Sequence, residues 1–438
     1  MKRIYYFLFA FLLIASACTE DEKLTYKTID VYVELVYPTE SSIESKNDIS
    51  ILASSSSGVK YESKTDEESK AKFNLPSGVY EITATHKNVH SGRLITFTGS
   101  KSNVVINETS SDLISLNLVE SKLSQIVIKE IYNGGCQKDD GSGSFHYDKY
   151  IILYNNSDEN AQLKDMCIAM TIPYNSTVTN ADVQNGTLFY ENEGWIPAGL
   201  GYFYFSNDKE LKPGEQAVVV LNNANDNTLT YSNSVDLSRS EYYVTYSPEV
   251  YTNTSYHPSP SSNIPVSNYL PGFKYGTGNA WAFSNTSPAL FIFYPENSSP
   301  EAFNADANNI SLYNGSATQV RKKVPVDWIV DGVEVFKKGA SNNSKRFTSS
   351  VDAGAVDLTA GYGYTLYRNV DKDATEALQE NSGKIVYNYN LGTENLDGST
   401  DPSGIDAEAS IKNGARIIYS DTNNSSNDFH QRAKASLK

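Results

Sequence analysis

Ile29-Asp30-Val31-Tyr32-Val33-Glu34-Leu35 sets an apolar residue at every second position. A strand turns successive side chains to opposite faces, so this alternation predicts a strand with one buried and one wetted face. Ile49–Leu52 continues the sheet, and strands at Leu94–Thr98, Val104–Ile106 and Leu113–Leu118 complete a first domain over 27–121. The rest of the composition agrees. Thirty-one Tyr, 27 Gly and 15 Pro against 3 Met and 5 His is a mixture suited to strands and turns. With 438 residues, 39% of them hydrophobic and 20% charged, the chain is long enough for two or three globular domains. The predicted class is all-β.

The formal charge is −16. A chain with no basic surplus has nothing to neutralise a phosphate backbone, so general nucleic-acid binding is excluded.

The N-terminus carries an address. Lys2 and Arg3 precede the apolar run Ile4–Ala15, then Ser16-Ala17-Cys18. Twelve apolar residues behind a basic start suit a secretory signal over 1–17 and are too few to span a bilayer. Small residues immediately before Cys18 resemble a bacterial lipobox, with Ala15 in place of the commoner Leu. That resemblance implies acylation of the Cys18 thiol and an outer-membrane anchor. Residues 18–26 form an acidic tether, and Thr19-Glu20-Asp21-Glu22-Lys23 resembles the surface-export signal of Bacteroidetes-type lipoproteins, which implies that the protein faces the cell exterior. Export also bears on Cys136 and Cys167. They are either one disulfide or two independent buried thiols, and an oxidising compartment favours the bridge.

Further along, Thr65-Asp66-Glu67-Glu68-Ser69 leads into Phe73-Asn74-Leu75-Pro76-Ser77-Gly78-Val79-Tyr80. This resembles the turn and hairpin of carboxypeptidase-regulatory, prealbumin-like β-sandwiches, with Ser69 where that family has Gly. Phe73 and Tyr80 are expected in the core, with Pro76-Ser77-Gly78 turning between their strands. Residues 125–438 form the second domain. Gln125-Ile126-Val127-Ile128-Lys129-Glu130-Ile131-Tyr132, then Tyr150-Ile151-Ile152-Leu153-Tyr154-Asn155-Asn156-Ser157, resemble the opening strands of a lamin-tail-like, immunoglobulin-like sandwich. Leu211-Lys212-Pro213-Gly214-Glu215, Tyr364–Arg368 and Asp421–Phe429 resemble its later motifs, in the right order around an insertion at about 225–325. The two domain types behind a lipoprotein signal resemble a family of Bacteroidetes surface lipoproteins. The resemblance implies a TonB-dependent outer-membrane receptor as partner.

Residues 248–300 hold eight of the fifteen prolines, ten aromatic rings and only three charged side chains. Disordered linkers are charged and poor in rings, so this stretch is expected to be a folded, proline-stiffened surface excursion. Tyr256, Tyr269, Tyr275 and Trp281 are its candidate binding residues, because exposed Tyr and Trp faces stack on sugars and many apolar ligands.

Signals for bond chemistry are weak. His86 and His90 have metal-protease spacing without the Glu, among strand residues. Gly141-Ser142-Gly143 has no helix behind it to make a nucleophile elbow, and Gln137–Ser144 reads as a mobile hairpin connection, with His146 and Asp148 as surface residues. Asp371, Asp373 and Glu376 look like a calcium cluster, yet Asp373-Ala374-Thr375-Glu376 reads better as a capping box. No phosphate-binding loop is present and no cofactor is expected. The function expected is therefore non-enzymatic: a surface lipoprotein that binds a ligand or partner beside a transporter. A structural or adhesive protein is the alternative, and an enzyme with an unplaced carboxylate pair the third reading.

Overall fold

The computed structural model of the chain describes residues 27–39, 46–55, 57–90, 92–110, 112–176 and 179–438. The signal, Cys18 and the acidic tether lie outside the described residues. Among those described, no helix is long and apolar enough to cross a membrane. The chain is all-β, and its helices are short. It divides into two units: one holds the residues up to His86 with Phe97–Glu120, the other Lys87–Thr96 with Ser121–Lys438.

In the first unit, Thr28–Val36 lies between Lys70–Pro76, antiparallel, and Leu113–Asn117, parallel. Its alternation is realised: Val31, Val33 and Leu35 are buried, while Asp30 and Tyr32 face outward. A second sheet runs Lys60–Lys64, Ser50–Ser55, Gly78–His90, Arg93–Ile106, Val119–Ser124, of which the last three strands belong to this unit only up to His86, from Phe97 on and up to Glu120. Phe73 and Tyr80 are in the core as expected. Pro76-Ser77-Gly78 does not make a hairpin, however. The strands on either side of it belong to different sheets, so it is a corner from one layer to the other. Ser69 does a glycine's work at φ 64°, in a turn closed by its N–H on the Asp66 carbonyl at 3.0 Å. Asp66 Oδ1 also accepts the Glu68 and Lys70 N–H groups at 2.9 and 3.0 Å.

The second unit has two large sheets. One has seven strands, in the order Tyr269–Leu270, Tyr243–Thr245, Gln216–Val220, Tyr150–Asn155, Ile126–Tyr132, Thr365–Arg368, Phe429–Arg432. The other has six: Gly272–Lys274, Gly201–Tyr204, Cys167–Met170, Ala289–Phe293, Ile329–Lys337, Val356–Leu358. Ile128, Ile151, Leu153 and Val219 meet Ile168, Leu290, Ile292 and Val333 between the layers. The outer faces are covered as well. Ile196, Ala198 and Val324 lie over the six-stranded sheet. Val235, Leu237 and Ile264 cover one part of the seven-stranded sheet, and Ile405, Ile417 and Tyr419 another. Central strands therefore have no wetted face: all seven residues of Ile126–Tyr132 are buried. Each large apolar side chain so enclosed contributes about 1.5–3 kcal/mol relative to exposure.

Several expectations need correction. The 248–300 stretch is not an excursion, because it supplies the central strand Ala289–Phe293 and much of the core. Trp281 is fully buried, its ring nitrogen donating to the Gly201 carbonyl at 3.0 Å. Tyr275 packs against the core, and its hydroxyl donates inward to the Ala198 carbonyl at 3.0 Å. The Cys136–Cys167 disulfide is not formed. Both thiols are free and buried, Cys136 close to Asp148 and Ser234, Cys167 within the six-stranded sheet near Asp165. Burial pushes the Cys136 thiol up to about 12 and the Cys167 thiol further still, so neither is a reactive thiolate. The helix near 373 starts earlier than its capping-box reading: Asp371 caps Lys372–Ala377 by accepting the Ala374 N–H at 3.0 Å.

Candidate functional site

Cys136–Gln137 pairs with Ser144–Phe145, so the connection predicted as mobile is an ordered hairpin. It begins at Gly135, with φ 72°, where an added Cβ would stand 1.8 Å from the Phe145 carbonyl oxygen. Only glycine fits that approach. At the tip, Lys138 N–H donates to the Gly143 carbonyl at 2.9 Å, and Asp140 accepts the Ser142 N–H at 2.9 Å.

Beyond the hairpin, His146 and Tyr147 are half-buried, while Asp148 and Lys149 are fully enclosed. Asp148 is thus not a surface residue. It accepts hydrogen bonds from the hydroxyls of Ser234 at 2.7 Å and Tyr132 at 3.1 Å, and burial raises its pKa. Asp139 grips the same loop from the hairpin side, accepting the Ser232 N–H at 3.0 Å and hydroxyl at 3.1 Å. Asn233 adds a bond to the Gln137 carbonyl at 3.3 Å. Tyr231 immediately precedes these anchored residues, and its carbonyl accepts the Ser234 N–H at 2.9 Å.

Tyr256 sits on a turn where the Asn253 carbonyl accepts the Tyr256 N–H at 3.1 Å and the His257 N–H at 2.9 Å. Buried His257 accepts the Trp281 N–H at 3.2 Å, so Trp281 backs the turn that presents Tyr256. Lys149 fixes the last wall: its ammonium group donates to Asn285 Oδ1 at 2.6 Å and to the Phe283 carbonyl. Among the described residues Lys149 forms no ion pair, and burial, opposed by the nearby Asp148 carboxylate, pushes its pKa down to about 7.

These elements enclose a pocket of about 400 Å3, within the range of small-ligand sites. Four aromatic rings line it: Phe145, Tyr147, Tyr231 and Tyr256. Tyr147 and Tyr256 meet edge to face at 5.2 Å and 86°, and Phe145 lies 5.8 Å from Tyr147 and 5.1 Å from Tyr231. The other lining side chains are Lys138, Ser144, His146 and Asn285. Lys138 stands 6.0 Å over the Tyr231 ring. Burial lowers the His146 pKa, which leaves its ring neutral near pH 7. Among the described residues, no aliphatic side chain and no carboxylate lines the pocket.

Of the four residues expected to bind, then, Tyr256 lines this pocket. Half-buried Tyr269 lines a smaller one of about 280 Å3 with Phe205 and Tyr243. Tyr275 and Trp281 line neither. A wider hollow of about 680 Å3 beside Leu378 and Gly383 carries a single ring, Tyr387. Asp371 borders another of about 400 Å3 with Asp158, Arg416 and Asp421. Among the described residues no three His, Cys, Asp or Glu side chains are grouped to hold a metal ion. Phe145, Tyr147 and Tyr231 escape the sequence reading because they lie outside the ring-rich stretch. The available signal was Phe145 and Tyr147 flanking the glycine-rich hairpin.

An all-β protein with layered sheets and a ring-lined pocket at one loop cluster is what the fold and site define. Residues 212–436 match the family described as Protein of unknown function (DUF4876), and the chain belongs to that family. It is also similar to a crystal structure, at 2.50 Å resolution, of a DUF4876 family protein from Bacteroides thetaiotaomicron VPI-5482. Sequence identity is 18%, the TM-score 0.52, and the match covers 92% of this chain and 94% of that one. At that identity the likeness speaks for the fold alone. No curated protein matches the chain.

Proposed function

We propose that this protein is a non-enzymatic lipoprotein, anchored through Cys18 on the outer face of the outer membrane, that captures a ligand beside a TonB-dependent transporter. The first unit serves as a prealbumin-like spacer and the larger one as a lamin-tail-like receptor body. The carrying observation is the pocket: four rings on three separate loops, each fixed by its own hydrogen bonds, converge on one space. Rings already held in place lose little entropy when a ligand arrives.

Each part has its test. Labelled palmitate should tag the wild type and not Cys18→Ala; label surviving the substitution contradicts the anchor. Protease added to intact cells should remove the protein, and full protection contradicts the outer face. A tagged protein drawn from solubilised outer membranes should bring a TonB-dependent receptor with it. Recovery without one, in cells grown on the captured ligand, contradicts the transport role and leaves the structural or adhesive reading.

A further inference from the structure

We propose that the ligand of the ring-lined pocket is a neutral sugar in its pyranose form, a reading that rests on the pocket being a binding site. Lining and ligand match. A pyranose has apolar C–H faces that lie against aromatic rings and a rim of hydroxyls that donate and accept. The pocket offers both kinds of surface. Four lining residues are rings and four are a cation, a hydroxyl, an imidazole and an amide.

The rings also stand at steep angles: 86° between Tyr147 and Tyr256, 71° between Phe145 and Tyr147, 46° between Phe145 and Tyr231. Two parallel walls would clamp a flat aromatic ligand; splayed walls fit a thicker, puckered ring. With no aliphatic lining the site is poorly matched to a lipid tail, and Lys138, already 6.0 Å over the Tyr231 ring, opposes a cationic ligand that the rings alone could hold. An anionic sugar would meet a single lysine on a chain of formal charge −16.

Unused hydrogen-bonding capacity faces the same way. Among the described residues the hydroxyls of Tyr147, Tyr231 and Tyr256 make no hydrogen bond within the chain, whereas the buried Tyr132, Tyr150 and Tyr154 each use theirs. Lys149 occupies Asn285 Oδ1 and leaves the amide NH2 of this lining residue free to donate. Lys149 is thus a positioning residue that sets which end of the amide is available.

The experiment is calorimetric titration of the protein with neutral disaccharides of glucose, galactose and mannose, with digalacturonate, and with p-cresol as a flat aromatic probe. At least one neutral disaccharide should bind. Tyr231→Phe and Tyr256→Phe keep the rings and the fold, and each should weaken that disaccharide about fivefold, the worth of one net hydrogen bond. Tyr231→Ala with Tyr256→Ala should weaken it by about tenfold or more, with the melting temperature kept as a control on folding. Binding of p-cresol or digalacturonate alone, or indifference of the disaccharide to both Phe variants, overturns the sugar and leaves the pocket standing. A disaccharide bound equally well by the folded double Ala variant, or no binding by any probe, overturns the pocket as well.

Discussion

Trp281 shows how little a residue's type says about its place. Its ring is enclosed against Phe203 at 5.4 Å and Phe283 at 6.1 Å, and its nitrogen is spent on the Gly201 carbonyl. Replacing it with Ala should cost about 3–5 kcal/mol of stability, as deletion of a buried aromatic does. Denaturant unfolding checks this. A variant that keeps its stability and loses only ligand would contradict the core assignment. Tyr256 and Tyr275 were indistinguishable in the sequence, both lying in the same proline-rich stretch. Both are half-buried, and what separates them is long-range: the Tyr275 hydroxyl donates to the Ala198 carbonyl and its ring meets Tyr202, whereas Tyr256 meets Tyr147. Cys136 and Cys167 teach the same lesson, since two leftover thiols in an exported chain reveal nothing about the distance between them. Unreduced protein should take up an alkylating reagent at both only after denaturation. A Cys136–Cys167 cross-linked peptide would contradict the free thiols.

Among the elements, the hairpin over 136–145 organises the pocket. Gly135→Ala would force a Cβ into the Phe145 carbonyl at a backbone angle few side chains adopt, at a cost of order 1–3 kcal/mol. Ligand binding should fall with it, because Phe145 and the tip of the hairpin move together. Asp139→Ala is the gentler probe: it releases the Ser232 grip on the Tyr231 loop but leaves the core untouched. It should weaken binding several-fold while the melting temperature shifts by no more than a few degrees. Elements with one wet face were legible in the sequence, as Thr28–Val36 demonstrates. Ile126–Tyr132 was not legible by periodicity, because layers on both sides bury every residue and erase the alternation. Its strand was recognisable only through a family resemblance. The corner at Pro76–Gly78 was misread because a turn motif does not say whether the next strand pairs or crosses to the other sheet.

For the molecule as a whole, the layered core carries a charge-dependent signature at Lys149. Its folded pKa, near 7, lies below the ordinary lysine value of 10.5. Between these values the unfolded chain holds a proton that the folded chain lacks, so this group makes stability rise with pH from about 7 upward. Between pH 7 and 9 the wild type should gain stability, on the order of 1–3 kcal/mol from this one group. Lys149→Met should lose that gain; chemical denaturation at three pH values reads it. An unchanged slope in the variant would mean that Lys149 folds in its charged form.

The proposed recognition happens among the rings at the hairpin and not in the proline-rich stretch at large. Fluorine NMR of protein labelled with 3-fluorotyrosine, assigned by single Tyr→Phe variants and titrated with the neutral disaccharides, tests it most directly. The expected result is saturable shifts at Tyr147, Tyr231 and Tyr256 while the buried Tyr132 and Tyr150 and the core-packed Tyr275 stay unmoved. Shifts centred on Tyr269 with these three silent, or no shift at any tyrosine, would contradict it.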